Sequence, residues 1–282
     1  MRNLLSSGFS RLWRSKLLYL GTLAVAASVA YTLINNLYYK SLWGLTDLTA
    51  TNLIFAGVEV LPVAIAALVA LFIGTDHGDH TLRNKLIVGH GRAAVYFSNL
   101  IVCTAAALLM YAVGSGVVIA IGAPLLGGFS GTAHVLLLQI LSSLLSVAAL
   151  TALLVLPATL IPGRAVSVLT VLLLVLALTL LVTPVLSSVL DVPETIGGFE
   201  LTYGDGTTQW IEEKPNPEYL TGFKRQTVQF LHEFLPTGQL AEYGKEEARL
   251  PDGFWRLPLY AVLSLVASTA TGIAIFKRQN LK

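Results

Sequence analysis

Residues 134–190 read HVLLLQILSSLLSVAALTALLVLPATLIPGRAVSVLTVLLLVLALTLLVTPVLSSVL, and Arg164 is the one charged side chain in the stretch. Each half is longer than the roughly 20 apolar residues that carry a helix across a hydrocarbon core of about 30 Å. Only Ile161-Pro162-Gly163-Arg164 separates them. Pro-Gly breaks a helix and a lone arginine seeks the membrane interface, so the spacing predicts two spans joined by a tight turn.

Outward from there the same pattern recurs. Leu17–Tyr39, Leu53–Ile73, Tyr96–Ile121 and Leu257–Phe276 join His134–Ile161 and Ala165–Leu190 to make six spans. Hydrophobic residues are 55% of the chain, charged residues 12%, and mean hydropathy is +0.72. A soluble domain of this length does not hide that much apolar surface, so the fold class is an all-α polytopic membrane protein. Residues 1–190 hold the first five spans, 191–256 a large segment on the outer side, and 257–282 the last span with its tail.

Basic residues set the orientation. Arg2, Arg11, Arg14 and Lys16 precede the first span; Arg83, Lys85 and Arg92 follow the second, Arg164 the fourth, and Lys277, Arg278 and Lys282 the sixth. The other side offers Lys40 in its first loop and none in Gly122–Ala133. The positive-inside rule therefore puts both termini in the cytoplasm, while the long segment 191–256 crosses regardless of its charge. The first span is too long for a signal core, and no small-residue cleavage site follows it. Ahead of it, Leu4, Leu5, Phe9, Leu12 and Trp13 recur at helical spacing among arginines, which predicts an amphipathic helix on the inner leaflet. Cys103, the sole cysteine, lies inside the third span and leaves no intramolecular disulfide to form.

The outer segment carries twelve of the chain's 16 acidic residues and is solvated, yet its aromatic content argues for a folded cap. Phe199–Tyr203 and Thr207–Ile211 flank Gly204-Asp205-Gly206 as a hairpin. Tyr219–Leu235 reads as an amphipathic helix stopped by Pro236, with a second short helix over Gln239–Ala248.

Candidate chemistry is sparse. The run Thr75-Asp76-His77-Gly78-Asp79-His80 has ligand types suited to zinc or a harder cation, but its spacing matches no zinc motif. Asp76 or Asp79 as the cap of a short helix ended by Gly89 accounts for the same carboxylates. Glu59 falls inside the second span, three residues before Pro62, which is expected to bend it. A carboxylate there either faces a cavity or partner helix, or reaches headgroup water at the outer end. Gly21, Ala24 and Ser28, and Gly114 to Gly116, allow close helix contact within the chain or between two copies. The chain has no GxxxxGK[ST] loop, G-x-S-x-G elbow, H-E-x-x-H pair or C-x-x-C, so no catalytic residue and no nucleotide site is assigned.

The six spans, the helix before them and the basic loop after the second resemble an ABC-2-type permease. Gly78-Asp79-His80-Thr81-Leu82-Arg83-Asn84-Lys85-Leu86-Ile87 resembles that family's G-T-(I/L)-R-N-K-L loop. Gly89-His90-Gly91-Arg92, Tyr96-Phe97-Ser98-Asn99, Asn216–Gly222 and Phe234–Gln239 are similar to segments of bacterial peptide- and drug-export permeases. The resemblance implies a multi-pass bacterial cell-membrane protein that exports a peptide, drug or lipid-like substrate. It implies a separate cytoplasmic ATPase subunit holding ATP and magnesium, a second permease chain, and no cofactor, metal or nucleic acid in this one. Residues 79–88 would be the coupling helix, with Thr81, Leu82, Arg83, Asn84, Lys85, Leu86 and Ile87 docking on the ATPase. Leu82 and Leu86 would form the apolar knob, and Arg83 and Lys85 would meet acidic groups of the partner. Glu59 would line or gate a path between the first, second and fifth spans, capped by Phe223, Phe230 and Phe234. Two other readings stay open: a sensor or scaffold whose outer segment binds a ligand, and a metal-dependent membrane enzyme using Asp76–His80.

Overall fold

In the computed structural model, which describes residues 1–44, 49–79, 81–129, 133–202, 208–245 and 253–279, the apolar runs form six helices long and apolar enough to cross a membrane. Helix α1 (Arg2–Trp13) precedes them. Its apolar face is covered by the chain itself: Leu4 and Leu12 are buried, and Leu5 and Phe9 pack on the core. Gly8 sits so close to Val102 that a Cβ there would come within 2.8 Å of its methyl group. Ser15 then caps α2 (Lys16–Trp43), the first span, its hydroxyl accepting from the Leu17 N–H at 3.3 Å.

The second span departs from the sequence reading. Residues before it form a short helix α3 (Ala50–Leu53) and a 3-10 turn, Ala56–Glu59, and the span α4 runs Leu61–Gly78. Pro62 therefore stands in the first helical turn, where no N–H is needed; it starts the helix and does not bend it. Helix α5 (Thr81–Ile87) follows.

The third span runs α6 (Arg92–Val117), a π turn over Val118–Gly122, and α7 (Ala123–Leu126). The fourth is α8 (Ala133–Leu160); the fifth is α9 (Arg164–Ala177), a second π turn over Leu178–Val182, and α10 (Thr183–Leu190). Both π turns stand just before a proline, Pro124 and Pro184. Proline supplies no N–H and its ring crowds the carbonyl four residues back, so the widened turn relieves a clash that a regular helix would keep.

Span four is the hub, packing against α4, α6, α9 and the last span α13 (Arg256–Arg278). Gly21 abuts Met110, and Gly114 abuts Val25 and Val29, so these small residues serve contacts within the chain; Gly116 meets nothing within 4 Å. At the turn between spans four and five, Pro162 leaves the Ala158 carbonyl without its usual donor. His77 Nε2–H and Ser167 Oγ–H both donate to it, each at 3.0 Å. Side chains also close the end of α13 and complete that of α8. Arg92 donates to the carbonyls of Phe276 and Gln279, and the Gln279 amide donates to Leu160 at 2.7 Å.

The opposite end carries the segment after Leu190. Strands β1 (Thr195–Ile196) and β4 (Lys214–Pro215) pair outside β2 (Phe199–Thr202) and β3 (Thr208–Ile211), all antiparallel, with Phe199 opposite Ile211. The hairpin is where the sequence places it; its Gly204-Asp205-Gly206 turn lies outside the described residues. Helix α11 spans Gly222–Phe234. Pro236 does more than stop it: it occupies the first turn of α12 (Pro236–Tyr243), which thus begins before the predicted Gln239, and part of the predicted second helix, 246–248, lies outside the described residues. Gly238 is required at this corner, since a Cβ would fall 2.1 Å from the His232 carbonyl oxygen.

Candidate functional site

The charged centre of the terminal side is Asp76, on the last turn of α4 and 0% exposed. A carboxylate buried at a helix C-terminus opposes the helix dipole and must be compensated by cations. Arg11 of α1 grips it through both guanidinium nitrogens, Nη1 on Oδ1 and Nη2 on Oδ2 at 3.3 Å. Lys85 of α5 donates to Oδ2 at 2.9 Å. The Arg11 guanidinium also lies over the Phe72 ring, 3.8 Å from its centroid and one helical turn from Asp76. One carboxylate thus ties the N-terminal helix, the second span and the short loop helix together. Of the two carboxylates the sequence offers as caps, Asp76 caps nothing, because α5 begins five residues later.

This tie also revises the proposed coupling face. Lys85 faces inward to Asp76, and Leu82 is 3% exposed, with Leu86 packed on the core. These three anchor α5. Arg83 and Asn84 are exposed, and the apolar residues offered to solvent are Ile87 at 71% and its neighbour Val88 at 76%. Thr81 is half-buried. The helix ends as expected at Gly89, which takes φ +95° while the His90 N–H returns to the Lys85 carbonyl.

The metal reading of Thr75–His80 finds no support in the placement of its members. Asp76 is held by two cations and His77 by a carbonyl; His80 lies outside the described residues, and no three metal-capable side chains converge among the described ones.

On the opposite side, Glu59 is exposed and precedes the spanning helix, so it is not inside a span. It lines a groove of about 440 Å³ with Pro62, Thr179, Pro184, Ala241 and Lys245, where the second π turn faces α12. Across the groove Thr183 donates to Thr237 at 2.8 Å. Phe223, Phe230 and Phe234 do not join Glu59 there. Phe223 is 82% exposed, whereas Phe230 and Phe234 stack at 5.5 Å and both meet Tyr260 of the sixth span edge-on.

Sequence reasoning missed a second, polar cavity of about 230 Å³ beside that groove, lined by Asp191, Arg225, His232, Glu233, Glu242 and Lys245. Lys245 bridges Asp191 at 3.3 Å and Glu242 at 3.1 Å. Burial alone would depress its ammonium, but the two carboxylates outweigh burial and raise it. His232 is buried and meets Ser187 Oγ at 3.0 Å; burial lowers its pKa below 6.5. Tyr243 bonds Ser142 of span four, and burial pushes its phenol up to about 12. Arg225 donates one guanidinium nitrogen to the Leu190 carbonyl at 3.1 Å, while its buried Nη1 has no hydrogen-bond partner among the described residues. The mix of charges in Asp191–Lys245 was visible in sequence; their convergence was not.

With the geometry in hand, neither a scan against protein-family models nor a search of curated proteins finds a match to this chain.

Proposed function

We propose that the chain is the membrane-spanning permease subunit of an ATP-driven exporter, worked by a separate ATPase that docks on α5. The observation that carries this reading is the three-way tie at Asp76. A short loop helix held only by its backbone ends would yield when a partner pushes on it. Helix α5 is instead pinned by a buried ion pair to the second span and, through the same carboxylate, to α1. Displacement of α5 then moves a span and the N-terminal helix as one body, which is what converting ATPase closure into rocking of spans requires. The face left over, Arg83, Asn84, Ile87 and Val88, combines an apolar knob with a cation and suits a groove with an acidic rim.

The test is a mild-detergent pull-down of the intact chain from its native cells. A soluble ATPase with a phosphate-binding loop is expected in the wild-type eluate. The double variant Ile87→Glu/Val88→Glu, both at exposed positions, is expected to lose it at least tenfold while eluting at the same size. An eluate free of ATPase, under conditions that keep a known transporter whole, would overturn the reading. The sensor alternative keeps one specific observation in its favour, the polar cavity with its unpaired Arg225 nitrogen. Binding of a ligand without its translocation would support it.

A further inference from the structure

A groove of about 610 Å³ opens between α1 and the second span, lined by Ser10, Arg11, Arg14 and Ser15 on its polar side and by Leu17 and Leu71 on its apolar side, with Asp79 also on its wall. Its depth is marked by two aromatic residues. Trp13 and Tyr19, close in sequence to the lining residues Arg14 and Leu17, are both more than half exposed, and the Tyr19 hydroxyl donates to the Trp13 carbonyl at 2.9 Å. Exposed tryptophan and tyrosine at the junction of α1 and the first span mark headgroup level, so the polar half of the groove meets headgroups and the apolar half meets acyl chains. The charges fit one occupant. Arg11, Arg14 and Lys85 stand against Asp76 and Asp79, a surplus of one positive charge. Arg14 is exposed and makes no ion pair among the described residues.

We propose that this groove seats one anionic phospholipid of the leaflet on the side of the termini. Its phosphodiester lies between Arg14, the outer edge of Arg11 and the serine hydroxyls; a glycerol headgroup hydroxyl donates to Asp79, and the acyl chains descend along Leu17 and Leu71. The seat is independent of the exporter reading and requires only that the chain spans a membrane. By touching Arg11 it makes the tie at Asp76 sensitive to lipid composition.

Native mass spectrometry of the full chain in detergent, titrated with phosphatidylglycerol, phosphatidylcholine or inorganic phosphate, tests it. One phosphatidylglycerol is expected to stay bound in preference to phosphatidylcholine, and inorganic phosphate in excess is expected not to displace it. Arg14→Gln is expected to weaken that adduct about fivefold, as does removal of one basic contact to an anionic headgroup. Ser10→Trp, which plugs the groove at unchanged charge, is expected to do the same. Arg2→Gln, an equal charge change at the far end of α1, is expected to leave it intact. Equal losses for Arg2→Gln and Arg14→Gln would overturn the proposal in favour of diffuse basic attraction. Displacement by inorganic phosphate would overturn it in favour of a free-anion site, and equal retention of phosphatidylcholine would remove the charge argument.

Discussion

At the scale of single residues, Asp76 carries the most structural consequence. Replacing it with Asn removes the negative charge and leaves Arg11 and Lys85 facing each other across a buried amide, which is expected to destabilise the fold by about 3–5 kcal/mol. Thermal unfolding of the purified chain reads this, and adding Lys85→Met to Asp76→Asn is expected to recover part of the loss. His232 gives a pH signature on the other side. Its folded pKa lies below 6.5, the unfolded value, so at lower pH the unfolded chain binds a proton that the folded one refuses. The stability this contributes is fully present above pH 6.5 and falls away as pH drops below it. His232→Gln is expected to flatten that part of the unfolding profile. Neither residue's role was legible in the sequence. Arg11 and Asp76 are 65 positions apart, and nothing in local spacing says that a cation so distant will reach a carboxylate. His77 is different. Pro162 announces an orphaned carbonyl at Ala158, so a nearby donor was foreseeable, and a metal role for the ring was the weaker reading from the start.

At the scale of elements, apolar run length located the spans well because hydrocarbon thickness sets it. It failed at the start of the second span, where Leu53–Val60 is apolar apart from Glu59, yet Leu53, Ile54, Phe55 and Val58 bury themselves in short turns packed on spans one and three. Helix α5 was legible as a helix, and its outward face was not. Leucine at helical spacing marks the side that is buried, and here that side belongs to this chain, leaving Ile87 and Val88 outside. The proline-associated π turns are the elements most open to direct test. Pro184→Ala returns an N–H to the turn facing the Glu59 groove, and the span can then close to regular α-helix. Hydrogen exchange is expected to show greater protection of the amides at 181–183, with no change around the matching turn at 118–122.

At the scale of the whole molecule, the helices divide the chain's chemistry between two ends. Tied cations and loop helices gather with the termini, and the acid-rich cap gathers at the other end. With Cys103→Ala as background, Arg278→Cys and Glu218→Cys place single thiols at exposed positions on the two ends. A membrane-impermeant maleimide applied to intact cells is expected to label the second and to reach the first only after permeabilisation. Labelling of both, or of the first alone, would reverse the orientation drawn from the basic loops. The peripheral spans one and five bury least of their length in this chain. Both are therefore available to lipid or to another copy.

The tie at Asp76 also imposes an order on synthesis. Arg11 leaves the ribosome long before the carboxylate it grips, and Lys85 emerges only after it. Through that interval α1 carries an uncompensated arginine, and the span that will hold it has not yet been delivered to the membrane. Helix α1 is thus made before the span it rests on and is fixed in place only after that span and α5 have both emerged.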